Sequence, residues 1–130
     1  MATLTPNQDA EVTITTPGVL KSILDTFATP IAGNNVTTHV VPAGKKWNLK
    51  GTSFISSSLV ATKTQEEVRL NLNNLYVLHV EVTATTKTTQ KFGDQNLTLV
   101  AGDEVVITST LSAYTSGTIT HLMLYQEFDA

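Results

Sequence analysis

Three histidines could hold zinc if their imidazoles converged: His39, His79 and His121. Each lies 40 or more residues from the next, flanked by Val or Leu, with no second ligand nearby in sequence. That spacing favours one hydrogen-bonded histidine per strand, or one histidine meeting its copies at a symmetry axis, over a metal site. The acidic pairs are Glu66-Glu67, Asp103-Glu104 and Glu127 with Asp129. Glycoside hydrolysis needs two carboxyl groups about 5 to 9.5 Å apart. Adjacent residues of a strand point to opposite faces, so Glu66 and Glu67 are not expected to converge. Asp103 follows Gly102 and suits a turn. No G-x-S-x-G, S-x-x-K, P-loop or G-x-G-x-x-G pattern is present. Lys45, Lys46 and Lys50 around Trp47 resemble a stacking platform for a single strand of nucleic acid. Trp47 shares its parity with Leu49 and Ile55, however, which predicts a buried indole and lysines on the solvated face. Tyr76, Tyr114 and Tyr125 could stack on a sugar if exposed. These residues predict no enzyme activity, no metal and no cofactor.

The elements that must position these residues follow from composition. The chain has 130 residues, 11 Asp+Glu against 8 Lys+Arg and no Cys. This length fits one domain. The net charge of -3 lacks the basic excess that phosphate binding needs, so no nucleic-acid partner is expected. The absence of Cys excludes disulfides and thiolate chemistry. Charged residues are 15% of the chain, against roughly 25% in an ordinary soluble domain. Threonine is the dominant bias: 23 Thr favour half-wet pleated sheet over helix. A Thr-, Ser- and Asn-rich surface with few charges also suits packing against partners. The N-terminus lacks the basic and apolar regions of a secretory signal, and no apolar run reaches membrane-helix length.

Residues 1–17 read as an N-terminal arm and 18–130 as a single sandwich. Within the arm, Glu11 to Thr16 alternates as a strand does, and Pro17-Gly18 ends it. Val19, Leu20, Ile23, Leu24 and Phe27 fit either a short helix or an extended segment. Further strands are expected at Val36–Val41, Lys46–Ser56, Glu67–Leu72, Leu75–Thr85, Glu104–Leu111 and Thr118–Phe128, with a connection at Tyr114–Gly117. About eight such strands, with no helix of crossover length between them, predict an all-β, antiparallel, jelly-roll-like sandwich. Two strands are apolar on both faces. Ile119, Met123 and Tyr125 share one parity of Thr118–Phe128, and Leu122, Leu124 and Phe128 share the other. Leu75–Ala84 behaves alike. A small sandwich has one inner layer, so the second faces need cover from the N-terminal segment or, as favoured here, from a neighbouring copy. The residues expected in that interface are Ile119, His121, Met123 and Tyr125, with Tyr76 and Leu78.

Three segments together resemble a known group. Val40-Val41-Pro42-Ala43-Gly44-Lys45-Lys46-Trp47, Leu99 to Val105, and Ser116-Gly117-Thr118 with Tyr125 to Phe128 are similar to strand starts and the closing strand of small β-sandwich proteins of tailed-phage particles. The resemblance spans about residues 36 to 128. That group includes capsid decoration (cement) proteins and fibre-knob domains, often jelly-roll trimers. It implies a homotrimer on the virion surface, made in the host cytoplasm. Residues 1–35 lie outside the resemblance, and the arm, with Leu4, Val12 and Ile14, is expected to clamp neighbouring major capsid protein subunits. The alternative the resemblance implies is a fibre-tip domain recognising host glycans.

Overall fold

The computed structural model describes the backbone of residues 18–71, 76–81 and 90–130, and the side chains of 18–71 and 97–130. The arm, with Leu4, Val12 and Ile14, lies outside the described residues. Six strands occur in chain order: β1 (Val19–Phe27), β2 (Gly33–Val40), β3 (Lys45–Leu70), β4 (Tyr76–Glu81), β5 (Gln90–Val100) and β6 (Glu104–Asp129). No helix occurs among the described residues. Residues 19–27 are therefore a strand. Their helix-like spacing arises because β1 carries apolar side chains on both faces: Ile23 and Phe27 turn inward and Leu20 and Leu24 outward.

β3 and β6 are each 26 residues long and pair antiparallel over nearly their whole length. This ribbon is the spine of the molecule. Its first half, Lys45–Ser57 against Thr118–Asp129, is flanked by β1 on the β6 side and β5 on the β3 side. Its second half, Val60–Leu70 against Glu104–Ser116, is flanked by β2 and β4. The ribbon folds over between the halves, giving two four-stranded layers of order β1-β6-β3-β5 and β2-β6-β3-β4. β1 to β2, β2 to β3 and β5 to β6 each pass from one layer to the other, while β3 and β4 pair within the second layer, which is the jelly-roll arrangement. The expected eight strands thus become eight segments of six strands. Tyr114–Gly117, expected as a connection, is continuous β6 at the fold-over.

The layers face each other across one core. Trp47, Leu49, Phe54, Ile119, Met123 and Tyr125 from the first layer meet Val68, Leu70, Val105, Ile107 and Leu111 from the second. Trp47 and Leu49 point inward as their parity predicts, but Ile55 does not share it. The register shifts between Leu49 and Gly51, and this bulge hands the inward position to Phe54. Gly51 is the local sign of that irregularity.

The two turn segments that carry the resemblance are neighbours. Lys45 N donates to Pro42 O at 3.2 Å and Asp103 N to Val100 O at 2.9 Å, each closing a four-residue turn. Val41 N donates to Asp103 O and Gly102 N donates to Val41 O, at 2.9 and 3.0 Å, tying the turns together. Asp103 Oδ2 accepts from Val100 N, the turn role expected of it.

At the opposite end, Gly117 has φ +95°, and a Cβ there would lie 2.4 Å from Ser58 O and 2.5 Å from Leu59 Cα. Both objections are to backbone, which cannot swing aside. Gly117→Ala is expected to cost at least about 2 kcal/mol, through left-handed strain plus displacement of the facing strand. Denaturant midpoints check this; an unchanged midpoint would mean that the fold-over tolerates a side chain.

Candidate functional site

β6 crosses from core to surface with every residue. Ile119, His121, Met123 and Tyr125 face the interior of their own subunit, at most 6% exposed. They are core residues and cannot form the interface expected of them. The opposite parity is the outward one, where Leu122, Leu124 and Phe128 are half-buried. Tyr76 and Leu78 lie in β4, with backbones opposite Arg69 and Val68; their side chains are not among those described.

The outward parity of β6 continues onto β1. Leu24 pairs with Leu122 and Ser22 with Leu124. Leu20 and Leu24 are 67% and 64% exposed. Leu20, Leu24, Leu122 and Leu124 therefore form one apolar surface on the first layer, at the side where β1 lies. The ring of Phe128 borders it, packed so closely on Gly18 that a Cβ there would approach to 2.6 Å. Alternation identified both parities of β6 as apolar but not which one faced inward. That choice depends on the register of the whole ribbon.

The described residues suited to chemistry lie elsewhere. Asp25 on β1 and His39 on β2 meet across the two layers, Oδ2 to Nε2 at 2.6 Å. His121, opposite Asp25 in the β1–β6 register, lies behind them and stacks obliquely on Phe54 with ring centroids 4.7 Å apart. Burial pushes its pKa down to about 4, with the neighbouring Asp25 opposing and His39 adding to the shift. It is therefore a neutral imidazole at pH 7. Among the described residues no three His, Cys, Asp or Glu side chains gather as a metal site.

Glu66 and Glu67 point to opposite faces. Glu66 is wholly buried and accepts from Lys63 Nζ at 2.5 Å; Lys63, equally buried, also donates to Ser56 Oγ. Glu67, on the opposite face, is also buried, and accepts from Gln65 Nε2 at 2.7 Å and from an Arg69 guanidinium N–H at 2.6 Å. The Lys63–Glu66 pair was missed because register shifts around Lys63 interrupt the alternation there.

Glu127 accepts from Lys21 Nζ at 2.7 Å and from Trp47 Nε1 at 2.9 Å. The Lys21 bond, then the Trp47 bond, holds its carboxyl below the usual range. Lys45 Nζ donates to Asp129 at 2.8 Å and lowers that carboxyl in the same way.

Two of the three tyrosines that suggested sugar stacking are also committed. Tyr125 is buried against Trp47 with ring centroids 4.4 Å apart, and Tyr114 is half-buried, its hydroxyl donating to Gly117 O at 3.1 Å. Among the described residues, the apolar surface on β1 and β6 is a feature left for recognition.

No protein-family model and no curated protein matches the chain. Among solved structures, dimeric latent PorU from Porphyromonas gingivalis is similar at 12% identity and a TM-score of 0.48, over 95% of this chain and 14% of that one. A Podospora anserina GH26-CBM35 β-(1,4)-mannanase is similar at 17% identity and a TM-score of 0.45, over 84% and 26%. The infectious bursal disease virus Gx strain structure is similar at 10% identity and a TM-score of 0.34, over 89% and 35%. The chain thus spans well under two thirds of each of these three, and its fold is read from its own strand pairing.

Proposed function

We propose that this chain is a non-enzymatic structural subunit of a bacteriophage particle, a decoration protein that associates with its own copies and sits on the capsid shell. The observation that carries the reading is the apolar surface of Leu20, Leu24, Leu122 and Leu124 on the outside of an otherwise complete sandwich. Apolar area left in water costs roughly 25 cal/mol per Å², so a second protein surface is its natural cover. The described polar side chains that could do chemistry are instead drawn into internal pairs, such as Asp25–His39 and Lys63–Glu66. In this reading residues 1–17 are the arm: Leu4, Val12 and Ile14 contact major capsid protein, the arm adds a strand at an exposed edge, and tethering of copies raises the effective concentration of each arm.

The test adds purified chain to empty shells that lack it. Co-sedimentation with shells, and shells that melt at higher temperature, are the expected results. Deleting residues 2–16 should leave the sandwich folded and weaken attachment by about a hundredfold or more. A full-length chain that stays in the supernatant and leaves shell melting unchanged would overturn the reading.

A further inference from the structure

We infer that β1 is the contact between copies, two chains pairing this strand antiparallel about a two-fold axis through Ile23. The inference rests on the reading that copies associate and names the surface they use. Among the described residues β1 pairs with β6 alone, in unbroken register from Val19↔Glu127 to Phe27↔Ile119. Its nine residues contain no proline or bulge, two of the devices that blunt an open edge, and its two charges, Lys21 and Asp25, are each paired within the subunit, with Glu127 and His39. Exposed Leu20 and Leu24 lie along it.

The sequence of β1 selects the partner and the register. If both sandwiches keep their cores on the same side of a shared sheet, the two-fold axis must pass through a residue. Centred on Ile23, the pairing sets Lys21 opposite Asp25 of the second copy, and Asp25 opposite its Lys21. Centred on Lys21 or Asp25, it sets like charges face to face. Centred on Ser22 or Leu24, it leaves both charges opposite uncharged residues. Only the Ile23 register is complementary, and cross-strand pairs of opposite charge stabilise where like charges destabilise. Each charge keeps its internal partner, Glu127 for Lys21 and His39 for Asp25, and gains a second. In the same register Leu20 faces Thr26 and Ser22 faces Leu24 of the second copy, so the two apolar outer faces merge across an eight-stranded sheet. This predicts a two-fold pair where the phage resemblance implies a trimer.

Sedimentation of the full chain at micromolar concentration should give twice the chain mass. Lys21→Asp and Asp25→Lys should each weaken self-association by about tenfold or more, since each sets two like-charge pairs face to face. An equimolar mixture of the two variants should restore the pair as a heterodimer, with circular dichroism confirming that both are folded. The chain has no cysteine, so Ile23→Cys should give a disulfide-linked dimer on oxidation, and Val60→Cys, on an exposed site away from β1, should not. A monomer, a three-chain particle, charge variants that self-associate like the parent, or equal cross-linking at Val60→Cys would each overturn the inference. A trimer that binds shells removes the β1 pairing and leaves the decoration reading standing; a two-fold dimer that ignores shells does the reverse.

Discussion

Replacing Lys63 with alanine is expected to cost about 3–5 kcal/mol of folding stability, the largest loss any single substitution here should give. Lys63 and Glu66 are both fully buried, with Nζ 2.5 Å from Oε2. Bringing two charges out of water is costly, and their attraction offsets that cost only while both are present. Alanine at 63 leaves the Glu66 carboxylate inside the sandwich without its cation, and Glu66 Oε1 already has no hydrogen-bond partner in the structure. The double substitution Lys63→Met with Glu66→Leu removes both charges while keeping similar volume, and should return stability to within about 1 kcal/mol of the parent or above it. Denaturant unfolding of the three proteins at pH 7 checks the pattern. A single substitution costing under about 1 kcal/mol, or a double one as damaging as the single, would contradict the picture of a buried, mutually dependent pair.

The second large effect is a loss of stability in mild acid that passes through His121. Its side chain is fully buried, and neither ring nitrogen has a hydrogen-bond partner in the structure. Burial lowers its pKa from 6.5 to about 4. Above 6.5 the imidazole is neutral in folded and unfolded chains alike and exerts no pH dependence. Between 6.5 and 4 the unfolded chain takes up a proton that the folded chain refuses, so folding weakens as the pH falls, by about 3 kcal/mol in all. His121→Leu abolishes this step and removes two unpartnered polar atoms from the core, so it should equal or exceed the parent at pH 7 and stay flatter down to pH 4. Acid losses from Glu127 and Asp129, whose carboxyls are held low by Lys21 and Lys45, remain in both proteins and cancel in the comparison. Equal pH slopes for parent and variant would show that His121 is not the titrating group.

These two sites show what the sequence made legible. Runs of β-branched and apolar residues bounded by Gly102-Asp103 and Gly117 located both halves of β6. Strand parity buried Trp47 and set Glu66 and Glu67 on opposite faces, and the preceding Gly102 marked Asp103 as a turn residue. Three features could not be read this way. The bulge at Leu49–Gly51 exchanged Ile55 for Phe54 in the core, because one extra residue reverses every side chain after it. The inward parity of Thr118–Phe128 was ambiguous, because both parities are apolar; pairing with β1 and β3 decided it in favour of Ile119, Met123 and Tyr125. Lys63 sits among Thr62, Thr64 and Gln65 with no sequence signal of burial, and only the folded ribbon brings it beneath Ser56 and beside Glu66.

The apolar surface of the candidate site was legible as a need and mislocated as a place. A strand greasy on both sides does leave one face uncovered within the described subunit, but that face is Leu122 and Leu124 with Leu20 and Leu24. Its neighbour β1 had fitted a helix as well as a strand, which hid the edge through which copies are inferred to pair.

A reconstruction of the phage particle that contains this chain tests the central claim most directly. The account predicts density for the sandwich on the head shell, with Leu24 and Leu122 covered by protein. Density at the tail tip, with that surface open to solvent, would contradict it.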